Sequence, residues 1–366
     1  MSTTTLELDV TDLARHIQST GLRNRWYGIC PTELIGDGPI GVVRLGERLV
    51  VWRDRDGQYH VQEDYCPHRA APLSIAKHLG DRLACRYHGV EVDGSGTVVS
   101  VPGMPGCALE GRQALKTYPS IVLRDALFAW FGDELHPEPA PFVPSTRLTS
   151  EEYDAFLCYV EYGTPYQFMI ENNLDPMHGS YLHADSHSMS EGDRAATFSV
   201  RGTDNGFVFE KDGQRDTNFD WSEWIDTSMQ YIELEIPYPA TGGPGGNFGI
   251  VSHMTPIDEY TTACFFWRNR KVSGWQRDVW RFLYKNRLEA RHWAVLEQDR
   301  EVAEVMQPVP PGVEHFYQHD LGVTRVRKLL RKEAEQQAGE LTDARSARHQ
   351  ARQETAKVAP GSSPAG

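Results

Sequence analysis

The chain has 366 residues and a mass of 41.4 kDa, with 51 acidic against 37 basic side chains and a net charge of −14. That length fits two domains. The charge argues against nucleic acid or an anionic membrane as main partner, and no apolar run approaches the ~20 residues of a membrane helix. The six cysteines, at 30, 66, 85, 107, 158 and 264, are no disulfide framework in so long a chain. In a reducing compartment they are buried small residues or metal ligands.

Taken in chain order, MSTTTLELDV lacks a basic region followed by an apolar stretch, so no signal peptide and a cytoplasmic protein are expected. Residues 1–21 read as a peripheral extension with one short amphipathic stretch. From about residue 24 the runs RWYGIC, IGVVRLG, RLVVWRD and YHVQED are β-like. Asp56-Gly57 marks a hairpin, and SIVLRDALFAWFG another. Residues 22–140 are therefore expected to form a small all-β domain. HPEPAPFVP (136–144) reads as a linker. Residues 141–335 read as a second, α+β domain. YDAFLCYVEYG is a strand, and Thr164-Pro165 starts a helix that carries YQFMIENNLDPMHGSYLH. Strands follow at ATFSVRG, GFVFEKDG, MQYIELEIP, GNFGIVSHMTP and YTTACFFWRNR. Residues 274–306 have uninterrupted helical periodicity. RVRKLLRKEAEQQ is a further charged helix, and 336–366 is expected to be a flexible tail.

Two constellations carry chemistry. The first is Cys66-Pro-His68 followed, after sixteen residues, by Cys85-Arg-Tyr-His88. Zinc sites usually pair like ligands two to four residues apart. Here each loop offers one cysteine and one histidine, which suits a [2Fe–2S] cluster with cysteines on one iron and histidines on the other; a zinc site stays open as an alternative. CPHRAAPLS…CRYHG resembles the Rieske motif C-x-H-x16-C-x2-H. The resemblance implies that Cys66, His68, Cys85 and His88 hold a Rieske cluster at the tips of two hairpins. Val90 departs from it, since many members carry Trp there, and this alters packing beneath the cluster. The other four cysteines default to core.

The second constellation is Glu171-x3-Asp175-x2-His178-x4-His183. Asp175 and His178 are three apart and share a helix face. His178 and His183 stand about 140° apart on an ideal helix, so Pro176 and Gly179 must bend it for both to reach one ion. A 2-His-1-carboxylate site needs one more ligand and open positions for oxygen. This pattern resembles the mononuclear-iron motif of the Rieske non-haem iron oxygenases, α-subunit type. The resemblance implies a third ligand from a later helix, at Asp299, with Glu297 and Glu301 as competitors. It implies that Asp175 bridges His178 to His88 of a neighbouring subunit. The implied fold is an N-terminal all-β Rieske domain followed by a helix-grip-like catalytic domain with an antiparallel sheet and long helices.

The implied activity is that of a terminal oxygenase, which mono- or dihydroxylates or O-demethylates a small aromatic or cyclic substrate with O2. GGPGGNFG (242–249) has the wrong spacing for a dinucleotide fingerprint and reads as a loop. Electrons from NAD(P)H are therefore expected through a separate reductase and a ferredoxin, with Arg69 and Arg86 as a basic docking patch. The compact His178-x4-His183 spacing is most similar to the homotrimeric, head-to-tail branch of phthalate dioxygenase-like enzymes and aromatic O-demethylases. His253 is a pocket candidate; Trp267, Phe265 and Trp293 read more readily as core. An anionic substrate would want an arginine inside the pocket, from among Arg268, Arg270 and Arg287. The competing functions are a Rieske-type electron carrier without oxygenase activity and a zinc-stabilised binding module.

Overall fold

The structure, a computed structural model, describes residues 9–186, 191–192, 194–237, 245–306, 308–310 and 312–358, the last seven by backbone alone. After α1 (Val10–Thr20), short strands build three sheets. β1 (Arg25–Pro31), β9 (Ser120–Leu123) and β10 (Ala126–Phe131) pair in the order β1-β10-β9. β2 (Ile40–Arg44), β3 (Glu47–Arg53) and β4 (Tyr59–Glu63) form a meander, the Asp56-Gly57 turn lying between the last two. β5 (Lys77–His78), β6 (Arg82–Ala84), β7 (Glu91–Asp93) and β8 (Val98–Ser100) form the third sheet.

The expected linker is not a free tether. The Ala140 carbonyl accepts the Trp26 indole N–H at 2.9 Å, and Phe142 packs edge-on against Trp26. One helical turn, α2 (Thr146–Thr149), then leads into a seven-stranded antiparallel sheet. It consists of β11 (Tyr153–Tyr162), β12 (Phe198–Thr203), β13 (Gly206–Lys211), β14 (Trp221–Asp226), β15 (Gln230–Pro237), β16 (Asn247–Pro256) and β17 (Thr262–Lys271), in the order β11-β17-β16-β15-β14-β13-β12. Of the glycine-rich 242–249 stretch, 242–244 lie outside the described residues and Asn247 already opens β16.

Both faces of β16 and β17 are covered, so these strands are apolar on both sides rather than alternating. Phe248, Ile250, Met254, Cys264 and Phe266 face a core shared with the helices. Val251, Ala263, Phe265 and Trp267 face the β1-β10-β9 sheet through Trp26, Phe128 and Trp130. The approach at this seam is close: a Cβ on Gly28 would stand 2.7 Å from the Phe265 ring.

His253 lies on this seam, which overturns its reading as a pocket residue. Its register opposite Phe265 turns it away from the helix-covered face, because successive strand side chains point to opposite sides. Its Nδ1 donates to the Gln230 carbonyl (2.6 Å), and its Nε2 accepts the Gly28 N–H (3.0 Å). It is therefore held neutral, and burial pushes its pKa down to about 4. In the unfolded chain it takes up a proton near pH 6.5. Between those values the unfolded state binds more protons, so stability falls as pH drops through this window, by at most about 3 kcal/mol. Denaturant titrations from pH 7 to 4.5 should show that His253→Gln loses this part of the slope; an unaltered slope would mean that His253 is charged in the fold.

On the other face, α3 (Tyr166–Leu174) packs against β14 to β17, and α4 (Pro176–Leu182) follows it. The expected helix 274–306 is interrupted: α5 (Trp275–Leu283) passes through a π-helical segment, Tyr284–Leu288, into α6 (Glu289–Ala303). The buried residues Trp280, Tyr284, Leu288, His292 and Leu296 recur every four positions. On a straight α-helix such a stripe drifts about 40° per step; the wider π turn takes up part of the drift.

The expected tail from 336 is also overturned. One helix, α7 (Leu321–Val358), runs through it. Val326, Leu330, Ala334, Ala338 and Leu341 bury a stripe that shares a core with Leu13, Ala14 and Ile17 of α1. Gln337 exchanges hydrogen bonds with the Arg23 backbone, while Arg345 and Arg348 pair with Glu134. The polar composition that reads as a tail is a helix with a narrow apolar stripe and many strong helix formers. Residues 359–366 and 1–8 lie outside the described residues.

Candidate active site

The two cysteine–histidine loops are built alike. In the first, Cys66 N–H donates to the Ala71 carbonyl (2.7 Å) and Ala70 N–H to the Cys66 carbonyl (2.8 Å). In the second, Cys85 N–H donates to Val90 (2.8 Å) and Gly89 N–H to Cys85 (2.9 Å). The fourth residue after each cysteine has a left-handed backbone, φ 56° at Ala70 and 75° at Gly89. That conformation suits glycine and is unusual for alanine. The loops follow β4 and β6, so the sheets set the distance between them.

This arrangement divides the four side chains by depth. Cys66 and Cys85 are buried in one core with Val50, Trp52, Leu83 and Val90, so Val90 does fill space beneath them. Their thiols interact, and burial pushes Cys66 up to about 11 against the backbone amides of His68 and Arg69 that point at its sulfur. His68 and His88 are exposed, with ring centroids 4.6 Å apart. An inner thiol pair and an outer imidazole pair fit a two-iron cluster with unlike ends. Amides aimed at sulfur are a known lever on such a cluster's potential. Arg69, Arg86 and Tyr87 are exposed around the histidines.

The second site assembles from α4 and α6. Helix α3 ends at Asp175, whose extended backbone (φ −87°, ψ 106°) breaks the helical path, and Pro176 opens α4. Asp175 is thus the N-cap of α4 rather than a residue on the same helix face as His178; its carboxylate accepts the N–H groups of Met177 (2.7 Å) and His178 (3.2 Å). His183 is the residue that leaves α4 (φ −105°, ψ 21°). The two histidines converge because the second has left helical geometry, not because the helix bends between them.

His183 Nε2 is 3.2 Å and His178 Nε2 3.8 Å from Asp299 Oδ1. Three donors about 2.1 Å from one ion and roughly at right angles stand about 3 Å apart, so the trio fits a single metal. Among the described residues this is the one group of three such side chains with donor atoms all within 4.8 Å. The Nδ1 atoms are occupied: His178 Nδ1 donates to the Asp175 carbonyl (2.6 Å) and His183 Nδ1 to Gln298 Oε1 (2.8 Å). That fixes both tautomers with the Nε2 lone pairs toward Asp299. Burial alone would raise the Asp299 carboxyl; the close approach of the His183 and His178 rings and the Asn172 amide hold it below its ordinary value. Asn172 Nδ2 donates to the same Oδ1 at 3.0 Å. Glu297 instead pairs with Arg300 at the surface, and Glu301 is exposed. Glu171 joins Arg327 of α7 and anchors α3.

Sequence reasoning missed Asn172 and Gln298. Gln298 adjoins Asp299, but nothing in the sequence shows that it reaches His183. The trio opens into a cavity lined by Phe219, Leu234, Phe248, Ile250, Phe266 and Arg268. Arg287 is exposed and Arg270 donates to the Gly245 carbonyl, so of the three arginines Arg268 is the one inside. Phe265 and Trp267 lie in the seam core, and Trp293 packs against the helix-side core.

Two parts of the chain match known families. Residues 25–119 match the family described as Rieske [2Fe-2S] domain, and 162–336 the family described as vanillate O-demethylase oxygenase C-terminal domain. The vanillate O-demethylase oxygenase subunit of Pseudomonas sp. (strain HR199 / DSM 7063) is 32% identical over 175 residues, 47% of this chain and 48% of that one. The oxygenase component of dicamba O-demethylase from Stenotrophomonas maltophilia is 32% identical over 165 residues, 45% and 48% of the two chains. The chain thus spans about half the length of the curated relatives it matches. The crystal structure of dicamba monooxygenase bound to dicamba has the same fold, with a TM-score of 0.64 at 20% identity over 87% of this chain and 98% of that one. So does the oxygenase in the reduced oxygenase–ferredoxin complex of carbazole 1,9a-dioxygenase, with a TM-score of 0.67 at 20% identity over 89% and 95%. The chain thus carries a Rieske [2Fe-2S] domain ahead of a vanillate O-demethylase oxygenase-type C-terminal domain, and both halves are similar to Rieske oxygenase components.

Proposed function

We propose that this chain is the terminal oxygenase component of a multi-protein system, hydroxylating or O-demethylating a small aromatic substrate. The observation that carries the proposal is the His178–His183–Asp299 trio, two of its members buried and His178 half-buried, at the wall of an apolar cavity, in a chain that also holds a Rieske site. When bound, the cluster relays single electrons and the iron supplies oxygen activation beside the substrate. The chain's own part is to orient, shield and connect. Asp175 and Gln298 set the histidine tautomers, Asn172 holds the Asp299 carboxylate, and the apolar wall keeps water from the reacting face.

In this proposal Cys66, His68, Cys85 and His88 hold the cluster, and a cluster-bearing unit over 22–140 serves a catalytic unit from 141 onward. The protein works in the cytoplasm as a head-to-tail homotrimer, with the exposed histidine edge of one subunit against Asp175 of the next. A separate NAD(P)H-dependent reductase and a ferredoxin supply electrons, docking near Arg69 and Arg86. The relatives named as O-demethylase components support a reaction at a ring substituent over ring dihydroxylation. The test is a screen of methoxy- and methyl-substituted arenes under 18O2 with a surrogate reductase. Label should enter one product oxygen, or formaldehyde should be released, only when both iron sites are filled. A protein rich in zinc and lacking the reduced Rieske EPR signal would overturn the proposal.

A further inference from the structure

The cavity beside the trio holds a cation that the protein does not neutralise. Arg268, on β17, is 3% exposed and lines that cavity. Its Nε has no hydrogen-bond partner, and among the described residues no carboxylate lies within 4 Å of its guanidinium. Its neighbour is the Phe266 ring, whose centroid is 5.4 Å away. The chain treats its other withdrawn arginines differently. Arg25 holds Asp226 and Glu333, Arg44 holds Glu161, Arg147 holds Glu233 and Glu235, and Arg327 holds Glu171 and Glu314. The two phenols that feel the charge of Arg268, Tyr162 and Tyr284, are pushed up by burial and stay neutral. Asp299, the carboxylate on the cavity wall, is committed to His183 and Asn172.

A buried guanidinium without a counter-ion is costly to keep. Groups that cost stability and line a site are retained for what they bind. A divalent ion on the trio would leave the cavity, with Asp299 and Arg268, at a charge of 2 − 1 + 1 = +2, which an incoming anion lowers. A guanidinium presents a planar fork of donors matched to an oxyanion. The walls near it are aromatic and aliphatic (Phe248, Phe266, Ile250), which suits a ring. We infer that Arg268 is the anchor for an aromatic substrate carrying a carboxylate or sulfonate, and that it selects such anions over neutral arenes. This rests on the oxygenase reading for the reaction but not for the binding.

The test uses the iron-loaded enzyme and three matched probes: 4-methoxybenzoate, 4-methoxybenzenesulfonate and 4-methoxybenzamide. Equilibrium binding and melting temperature are read for the natural protein, Arg268→Gln and Arg268→Lys, with the Rieske EPR signal and iron content as controls on folding. At least one anion should bind about 30–100-fold more tightly than the amide, the size of one bidentate charged contact. The anion that binds better identifies the source as carboxylate or sulfonate. Arg268→Gln should bring the anions to the level of the amide without weakening the amide, and Arg268→Lys should restore part of the difference. The ligand-free Arg268→Gln enzyme should melt higher, because a buried charge without a partner is gone; a structural arginine would give a lower melting point. Equal binding of anions and amide by the natural protein, undiminished anion binding by Arg268→Gln, or a lower melting point of that variant would each overturn the inference. No anion selectivity in the natural protein, with both iron signals and oxygen-dependent product intact, counts against Arg268 alone. Anion selectivity without iron or product counts against the oxygenase reading alone.

Discussion

Asp299→Ala should strip the mononuclear iron and abolish turnover while leaving the Rieske spectrum untouched. Among the described residues its carboxylate is the one anionic donor within reach of both Nε2 atoms, at 3.2 and 3.8 Å. Without it, two neutral imidazoles would have to hold a divalent ion in a largely apolar cavity, with no charge to offset the desolvation. Changes around metal sites already cost about 10–100-fold in affinity when they affect only a ligand's supporting partner, and loss of the ligand itself should exceed that. Iron analysis beside reduced EPR spectra separates the two metal sites. Glu297→Ala is the control: Glu297 pairs with Arg300 on the surface, so this variant should keep its iron. Full iron occupancy in Asp299→Ala would mean that another side chain is the third ligand.

The second large effect is expected from Asp175→Asn, and the structure makes that substitution more informative than it looks from sequence. The Asp175 carboxylate caps α4, and asparagine is as good a cap. His178 Nδ1 takes the Asp175 backbone carbonyl at 2.6 Å, whereas the carboxylate stands 4.0 Å away. Asparagine therefore keeps the helix start and the histidine tautomer and removes only the charge. Both metals should stay, and Rieske reoxidation in a stopped-flow single turnover should slow by about 10–100-fold, the range for supporting residues of metal sites. Asp175→Ala should add about 1 kcal/mol of destabilisation from the lost cap. Unaltered reoxidation in Asp175→Asn would place the electron path elsewhere.

β14 (Trp221–Asp226) is not among the expected strands, but the order of domains, the other six of the seven strands of the large sheet and the two candidate ligand sets could be read from the chain. Local rules govern them: cysteine and histidine spacing on loops, alternation of residue type in strands, and a proline that starts a helix. Several readings failed where a local signal had no view of its partner. His253 sits on a strand buried on both faces, so alternation cannot say which face is the pocket. The 274–306 helix gives no sign of its π segment, because the stripe that demands it is defined by the sheet beneath. The polar residues after 336 read as a tail until α1 and Glu134 supply what they pack and pair with. The bend expected between His178 and His183 is replaced by a helix that simply ends, a boundary too fine for sequence periodicity to locate.

By itself, then, the sequence determined which atoms are available for chemistry: two thiols and two imidazoles in one place, two imidazoles and a carboxylate in another. The tertiary structure decided what surrounds them. It put the cysteines inside and their histidines outside, gave His183 and Asp299 the partners Gln298 and Asn172, and turned Arg268 rather than Arg270 or Arg287 into the cavity. The cysteine and histidine candidates follow covalent spacing along the chain, whereas the choice of Asp299 over Glu297 and Glu301 came from the family resemblance. Burial, hydrogen-bond partners and the direction of a side chain depend on contacts between segments far apart in sequence, and only the folded chain brings those together.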